Sequence, residues 1–356
     1  MYNMWRLMDT GVRRAAENFA INRAIMESHK QGKTINTLRF LAFPPSALIG
    51  FHQDVEQELN LEYIRDNNID IQRRLSGGGA IYMDELQIGW ELYLEKQVFQ
   101  SADMSAVAQE ICDCVAAALN KLGMSARFRP RNDIEVNGRK ISGTGGIFDG
   151  NTVVYQGTVL VDFDVEKMMR VLRIPAEKIN DKSIADARER VITVRELLAD
   201  KTPSMETIKQ AIAEVLAKHF DIQWQVDSEM NTVEKDIYQK SVTQIDSDKW
   251  LYQHERPLTD APLVESMYRS NGGLIKTTLI YDRQKNMIKQ LWITGDFFIR
   301  PQRLVVDLEA ALKNTRLNEL EKNVSDFFAN YESELLLLEQ GDFVQAIKQA
   351  VDSLQE

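Results

Sequence analysis

The amino-acid sequence predicts an α+β protein built from two domains. Its 356 residues are long for one domain but sufficient for two, each with its own hydrophobic core. Strand patterns and amphipathic helix patterns both occur along the chain. A polar stretch at 227–248 lacks long apolar runs and is typical of a link between domains. We therefore expect residues 1–245 to form the first domain and residues 246–356 a smaller second domain.

The first domain is predicted to open with a short strand followed by an amphipathic helix. Apolar residues recur at helical spacing within 17–29, after an apolar segment at 5–8 that suits a strand. His52 lies in the polar turn before the helix predicted at 55–67, where we expect a surface loop residue. The next predicted elements are a strand at 37–43, a helix at 55–67, and strands at 69–73 and 88–94 on either side of a glycine-rich loop.

An Asn-Gly pair is the strongest turn signal in the chain. Asn137 and Gly138 separate short strand patterns, and this pair supplies the positive φ angles of a type I′ hairpin turn. Lys140 is therefore expected just past a rigid turn. The remaining predicted elements are helices at 104–122 and 207–220, strands at 152–161, 274–281 and 287–294, and helices at 304–313, 317–338 and 343–354.

Composition and charge exclude several classes of protein. With 44% hydrophobic and 27% charged residues, the chain has the composition of an ordinary globular protein. No run approaches the roughly 20 apolar residues of a membrane span. The first residues lack a basic segment leading into an apolar core, so we expect no secretory signal and a cytoplasmic protein. A net charge of −10 argues against general nucleic-acid binding.

An acidic chain can still contain one basic cleft. Several cations are close in sequence and would focus a positive potential on an anionic ligand. They are Arg127, Arg129, Arg131, Arg139 and Lys140, together with Arg73 and Arg74.

The cysteines and histidines predict no metal centre and no disulfide. The two cysteines, Cys112 and Cys114, are two residues apart in a predicted helix, so they point to different faces and suit small core positions. The four histidines show no spacing typical of zinc or iron ligands.

Two glycine-bearing segments are the candidate binding motifs. In the first, Arg73 and Arg74 precede Ser76 and three glycines, 77–79, whose backbone N–H groups are little covered. The second contains Lys140, a point charge suited to phosphate. Neither segment is a Walker A loop or a Rossmann fingerprint. Taken alone, the first fits a tight turn with solvated arginines as well as an anion site.

The order and spacing of several motifs nevertheless match one family. The motifs are Arg73-Arg74-x-Ser76-Gly77-Gly78-Gly79-Ala80-x-Tyr82-x-Asp84, then Asn132-Asp133, then Gly138-Arg139-Lys140-Ile141-Ser142-Gly143. Together they resemble the lipoate-protein ligase family, which shares its fold with octanoyltransferases and biotin-protein ligases. Residues 181–198 also resemble a segment of these ligases that leads to a short helix. The resemblance implies a mixed-sheet biotin/lipoate ligase-like catalytic domain. Residues 272–298 resemble part of the small α+β accessory domain of these ligases, so such a domain is expected to follow the catalytic domain.

The resemblance also implies roles for individual residues. Lys140 would contact the acyl carbonyl and phosphate oxygens, and Asp133 with Asn132 would face the nucleotide or its magnesium. Gln156 stands where the family commonly has a histidine before Gly157 and Thr158. The other positions implied to line the acyl or adenylate site are Arg73, Arg74, Ser76, Gly77, Gly78, Gly79, Ala80, Ser142 and Gly143.

The implied activity is ATP-dependent acylation of a protein lysine. A carboxylate is a poor electrophile, so lipoate or octanoate would first be activated with ATP and Mg²⁺ as an acyl-AMP. Fixed donors and cations, without a covalent nucleophile, suit that step. The acceptor would be a lipoyl domain or a glycine-cleavage H-like protein. We expect the second domain to support activation or closure over the adenylate.

Three alternatives remain open. An octanoyltransferase of the same fold would need a cysteine near the lysine loop, and neither Cys112 nor Cys114 lies there. A non-catalytic lipoyl-binding relative would not require Lys140. A biotin-protein ligase would have a different glycine motif around the arginine.

Overall fold

The computed structural model describes residues 3–100, 103–130, 132–173, 186–255 and 259–354. Arg131 and residues 181–185, which belong to two of the predicted segments, lie outside these ranges. Tertiary contacts group the chain into two units. The N-terminal unit comprises Met1–Ala47, Asn60–Gln72 and Tyr82–Ser247, and the C-terminal unit comprises Leu48–Leu59, Arg73–Ile81 and Asp248–Glu356. The domain boundary expected at residue 245 stays a prediction.

The strands form one large and three smaller sheets. In chain order they are β1 Asn3–Val12, β2 Thr37–Ala42, β3 Ser46–Ile49, β4 Asp70–Arg73, β5 Ile81–Met83, β6 Gln87–Glu95, β7 Ala126–Arg129, β8 Asp133–Val136, β9 Arg139–Asp149, β10 Thr152–Leu160, β11 Ile222–Val226, β12 Val264–Ser270, β13 Gly273–Asp282, β14 Met287–Gly295, β15 Ile299–Arg300, β16 Thr315–Arg316 and β17 Glu334–Leu335.

The α-helices are likewise spread over the whole chain. In order they are α1 Ala15–Lys30, α2 Val55–Glu58, α3 Leu61–Asp66, α4 Met104–Lys121, α5 Val165–Val171, α6 Val194–Leu198, α7 Met205–Phe220, α8 Thr232–Ile245, α9 Asp248–Leu251, α10 Leu304–Ala311, α11 Leu320–Ala329 and α12 Gln340–Asp352. None of these helices is long and apolar enough to cross a membrane.

The N-terminal unit is built on a mixed eight-stranded sheet in the order β11-β1-β2-β6-β10-β9-β8-β7. β1 pairs parallel with β2 and β11, and the other pairs are antiparallel. Helices α4 and α7 supply apolar side chains to its main core, while α1 packs against α8. The sheet carries β8, β9 and β10 side by side as consecutive antiparallel strands, so the predicted site residues between 133 and 160 lie on neighbouring strands.

A helix, which the sequence analysis did not predict, occupies most of the stretch interpreted as a polar link, and its role as a link stays a prediction. Asn231 caps α8, and Glu234 three residues later completes the capping box. The Glu234 carboxylate is buried, and its Oε1 atom lies 2.6 Å from Arg6 Nη2. The helix therefore carries its polar residues inward to an ion pair, which an apolar periodicity cannot detect.

Three local predictions were wrong. The helix expected at 55–67 is two short helices, because Asn60 accepts a hydrogen bond from the Tyr63 backbone N–H and starts a new helix. The helix expected at 317–338 ends at Ala329. His52 is 1% exposed rather than a surface residue. The other predicted helices and strands that fall within the described residues are confirmed to within a few residues.

The C-terminal unit has its own antiparallel sheet, β12-β13-β14-β16, and its own core. Helices α10, α11 and α12 contribute to that core, and Phe297 and Phe343 are its largest fully buried rings. The unit also contains 48–59 and the glycine-rich loop, 73–81. That loop therefore belongs to the compact body of the C-terminal residues.

Candidate active site

The predicted hairpin presents Lys140 on a fixed backbone. Asn137 and Gly138 have φ angles of 53° and 79°, as a type I′ turn requires. The Lys140 N–H donates to the carbonyl of Arg190 at 2.9 Å, and the Ile192 N–H donates to the carbonyl of Lys140 at 2.9 Å. The backbone of Lys140 is thus held on both sides, by β8 and by residues 190–192.

The Lys140 side chain pairs with a carboxylate on the neighbouring strand. Its Nζ atom lies 2.7 Å from Asp133 Oδ1, and Arg129 donates a hydrogen bond to Asp133 Oδ2. Asp133 is 7% exposed, whereas the Lys140 side chain is 37% exposed. The lysine side chain is therefore partly exposed while its counter-ion is buried.

Glycine at 143 makes room for this lysine. A Cβ atom on Gly143 would lie 2.8 Å from both Cε and Nζ of Lys140. No real Cβ approaches a neighbour so closely, so any larger residue would displace the lysine tail. The Gly143 N–H donates to Thr158 Oγ1 at 3.3 Å, which ties β9 to β10 at this point.

The structure brings several other predicted residues onto the same strands. The carbonyl of exposed Asn132 accepts a hydrogen bond from the Thr144 N–H at 2.8 Å. Ser142 is buried, and its Oγ atom has no hydrogen-bond partner within the described ranges. A Cβ on Gly157 would lie 2.3 Å from Trp90 Cζ2, so glycine is required there too. Half-buried Gln156 precedes it on β10.

Both cysteines are buried behind this region. Cys112 Sγ lies 3.4 Å from the Tyr155 hydroxyl and 3.6 Å from Thr144 Oγ1. Burial raises the pKa of the Cys112 thiol and raises that of Cys114 to about 12. Both are free thiols, so the expectation of small core residues is confirmed. Neither has the lowered pKa or the access that a nucleophilic cysteine needs.

The Arg73 guanidinium donates hydrogen bonds to backbone carbonyls of the C-terminal unit. Its side chain is fully buried, and burial lowers its pKa to about 9. The Trp250 indole Nε1–H donates in return to the carbonyl of Arg73 at 3.1 Å. The guanidinium donates to five backbone carbonyls, those of Gly50, Phe51, Gln53, Trp250 and Leu251.

Arg74 shapes the glycine-rich loop from within. Its guanidinium donates to the carbonyls of Gly77 and Gly79 at 3.0 and 2.7 Å. Burial lowers its pKa to about 10. The Ser76 carbonyl accepts a hydrogen bond from the Phe51 N–H at 2.9 Å, and Ala80 is half-buried at the end of the loop.

The loop glycines permit close backbone packing. A Cβ on Gly77 would lie 2.1 Å from the carbonyl oxygen of Phe297, and one on Gly50 would lie 1.8 Å from that of Gly78. Gly78 has a φ angle of +93°, and the Phe298 ring lies against it. These contacts give the glycines a structural role that their sequence context did not predict.

Sequence reasoning also missed a cluster of rings beside the loop. The ring centroids of His52 and His254 are 5.7 Å apart, and those of His52 and Phe297 are 5.1 Å apart. Burial, then the charge of Arg73, lowers the pKa of His254 to about 3, and burial lowers that of His52. The apolar neighbour Phe51 was the one local signal that His52 is buried.

Asp133, to which the family resemblance assigns the magnesium, faces a cation at each carboxylate oxygen, and its magnesium role stays a prediction. Lys140 occupies one carboxylate oxygen and Arg129 the other. Among the residues that the structure describes, no group of three or more His, Cys, Asp or Glu side chains could hold a metal ion.

The fold is that of a biotin/lipoate ligase-like catalytic domain. The model of the lipoyl protein ligase A/B catalytic domain matches residues 14–217, and the chain belongs to that family of lipoate ligases and octanoyltransferases.

Curated relatives include both kinds of enzyme. Lipoate-protein ligase LplJ of Bacillus subtilis is 33% identical over 169 residues, which are 48% of this chain and 50% of the relative. Octanoyltransferase LipM of Halalkalibacterium halodurans is 23% identical over 273 residues, 70% of this chain and 99% of the relative. The chain thus spans about half the length of the first relative and nearly all of the second.

Solved structures share the fold. An archaeal bipartite lipoate protein ligase from Thermoplasma acidophilum, described with its E2 lipoyl domain, gives a TM-score of 0.65 at 24% identity over 72% of this chain and 99% of its own. Lipoate-protein ligase A bound with ATP gives 0.61 at 22% identity over 71% and 99%. P. falciparum LipL1 in complex with lipoate gives 0.73 at 18% identity over 99% and 100%.

Proposed function

We propose that this chain is an ATP-dependent lipoate-protein ligase. The observation that supports a ligase over a thioester-forming transferase is the burial of both thiols, at 0% and 5% exposure, in a chain whose Lys140 side chain is 37% exposed. An acyl-enzyme needs an exposed thiolate, whereas an acyl-adenylate needs a fixed cation. The lipoate-bound and ATP-bound structures of the same fold support the two substrates.

The proposed reaction has two steps. A carboxylate oxygen of lipoate or octanoate attacks the α-phosphorus of ATP, pyrophosphate leaves, and acyl-AMP forms. The amine of an acceptor lysine then attacks the acyl carbonyl, loses a proton, and expels AMP to give an amide. Lys140 donates hydrogen bonds to the phosphate and acyl oxygens and stabilises the charge that develops there.

The remaining predicted residues are proposed to act as scaffold and lining. The residues proposed to line the site around Lys140 are Asn132, just before β8, and Ser142, Gly143, Gln156, Gly157 and Thr158 on β9 and β10. Arg73 and Arg74 direct their donors to backbone carbonyls, so we propose that they shape the glycine-rich loop, 73–81. Magnesium would arrive as the complex with the ATP phosphates.

The proposed acceptor is the lysine of a lipoyl domain. The Thermoplasma ligase described with its E2 lipoyl domain supports this choice. A glycine-cleavage H-like protein is the second acceptor to test.

The test is incubation with ATP, magnesium and free lipoate or octanoate, with pyrophosphate and acyl-AMP followed by mass spectrometry. We expect acyl-AMP from the natural chain and a large loss with Lys140→Ala. The matched control is Lys30→Ala, which removes another ion-paired lysine of the N-terminal unit. Absence of acyl-AMP with both acids would refute the ligase assignment.

Octanoyl transfer is the second candidate, because LipM relatives are matched over almost their whole length. A transferase would take octanoate from an acyl carrier protein through a cysteine thioester. The double variant Cys112→Ala with Cys114→Ala separates the two functions. We expect the ligase reaction to survive in it, whereas loss of acylation in a folded double variant would favour the transferase.

A further inference from the structure

Asp133 is placed between two cations of the same sheet. Its Oδ1 atom lies 2.7 Å from Lys140 Nζ, and its Oδ2 atom accepts a hydrogen bond from Arg129. Asp133 is 7% exposed, and the charged form of so buried a carboxylate is strongly destabilised unless it is paired with a cation and hydrogen-bonded. Arg129 therefore hydrogen-bonds to one oxygen of this buried group, and the other oxygen is compensated by the charge of Lys140 at a geometry that makes no hydrogen bond.

The same contacts define where the Lys140 ammonium can be. Its backbone is held by Arg190 and Ile192, Gly143 leaves a gap for its tail, and Asp133 attracts its charged end. A lysine tail without these contacts samples many rotamers, and its charge would not stay at one point. Preorganised charge stabilises a reaction more than charge that must move into place.

We propose that Asp133 is the positioning residue of Lys140 and does not bind the magnesium that accompanies ATP. This inference rests on the proposed ligase function. Mg²⁺ prefers a nearly ideal octahedron of oxygen atoms and keeps several of its waters. At Asp133 it would have to displace Lys140 and Arg129 and would meet their positive charge.

The first experiment measures the lysine itself and needs no ligase activity. The protein is treated briefly with an amine-acetylating reagent, and modification of Lys140 is measured by peptide mass spectrometry. Asp133→Asn should speed that modification about fivefold, the factor expected when an ion pair worth about 1 kcal/mol is lost. Unchanged modification of Lys140 in folded Asp133→Asn would overturn the proposal.

The matched control is the pair of Lys30 and Asp149, whose charged atoms are 3.0 Å apart in the same unit. Asp149→Asn should speed modification of Lys30 and leave Lys140 as it was. An equal change at Lys140 in both variants would show a general loosening and would also overturn the proposal.

The second experiment separates positioning from metal binding. In acyl-AMP formation, Asp133→Asn should lower kcat about 100-fold. The magnesium concentration that gives the half-maximal rate should stay within about twofold of that of the natural chain. A tenfold rise in that concentration, with kcat recovered at high magnesium, would make Asp133 a metal ligand instead.

Gly143→Ala provides an independent variant should Asp133→Asn fail to fold. It moves the lysine tail without touching the carboxylate, so we expect a similar loss of kcat and an unchanged magnesium dependence. An unchanged kcat in Gly143→Ala would count against the proposal. Absence of acyl-AMP in the natural chain would refute the ligase function, whereas the acetylation result would still decide whether Asp133 holds Lys140.

Discussion

The indole of Trp250 and the side chain of Arg73 bind each other's backbone. Trp250 Nε1 donates to the Arg73 carbonyl at 3.1 Å, and Arg73 Nε donates to the Trp250 carbonyl at 3.2 Å. Arg73 is the residue just before the glycine-rich loop, and Trp250 lies in α9. The conformation of the loop is therefore coupled to a helical residue 177 positions further along the chain.

Trp250→Phe should weaken this coupling. The variant keeps most of the buried ring and loses the hydrogen bond, so we expect about 1 kcal/mol less stability and slower acyl-AMP formation. Trp224→Phe is the control, because Trp224 Nε1 donates a similar bond to the Ala213 carbonyl in the N-terminal unit. Urea unfolding and acyl-AMP assays of both variants check the prediction. Equal slowing by the two variants would contradict a specific effect on the loop.

Arg73→Lys should be strongly destabilising although it keeps the charge. A lysine ammonium has three donors and cannot reach the five carbonyls that the guanidinium binds, so buried acceptors would be left unpaired. We expect a loss on the order of 3 kcal/mol in urea unfolding.

Arg127→Lys is the matched control for that loss. The Arg127 side chain is 74% exposed and pairs with Glu135, so its replacement should change stability by less than about 0.5 kcal/mol. Similar effects of the two changes would mean that Arg73 contributes only its charge.

Glu309 should make stability fall as pH rises towards neutrality. Burial raises its pKa from 4.5 to about 7, although the carboxylate accepts a hydrogen bond from the Ile293 N–H at 2.6 Å. The folded state holds the proton more tightly than the unfolded state. The stabilisation that this proton gives the folded state is therefore complete below pH 4.5 and is lost as pH rises to about 7. Glu309→Gln stays neutral and should be more stable at pH 8, by on the order of 2 kcal/mol. Urea unfolding at pH 4.5 and pH 8 measures this, and equal stabilisation at both values would contradict it.

His254 should cause a loss of stability on the acid side. Burial and the nearby Arg73 charge lower its pKa from 6.5 to about 3. The unfolded chain takes up the proton first, so stability falls as pH drops from about 6.5 towards 3. His254→Phe should therefore lose less stability than the natural chain between pH 7 and pH 5, by about 2 kcal/mol. Thermal unfolding at the two pH values, with the exposed His219→Gln as control, checks this; a change as large in the control would exclude His254 as the cause.

Local chemistry explains what could be predicted from the sequence. The Asn137-Gly138 turn was predicted because two adjacent residues determine it, and the position of Lys140 followed. The roles of Arg73 and Glu234 could not be predicted in the same way. The acceptors of Arg73 include carbonyls at 250 and 251, and Glu234 pairs with Arg6, 228 positions earlier. Such partners appear only when distant segments are brought together.

The burial of both native thiols has a practical consequence. Thiol-directed dyes and spin labels need an accessible thiolate, and Cys112 and Cys114 provide none in the folded chain. A single cysteine introduced on an exposed surface would therefore take the label alone, with no need to replace the native pair. Labels attached to introduced cysteines could therefore be used for distance measurements by fluorescence or electron spin resonance in an otherwise natural sequence.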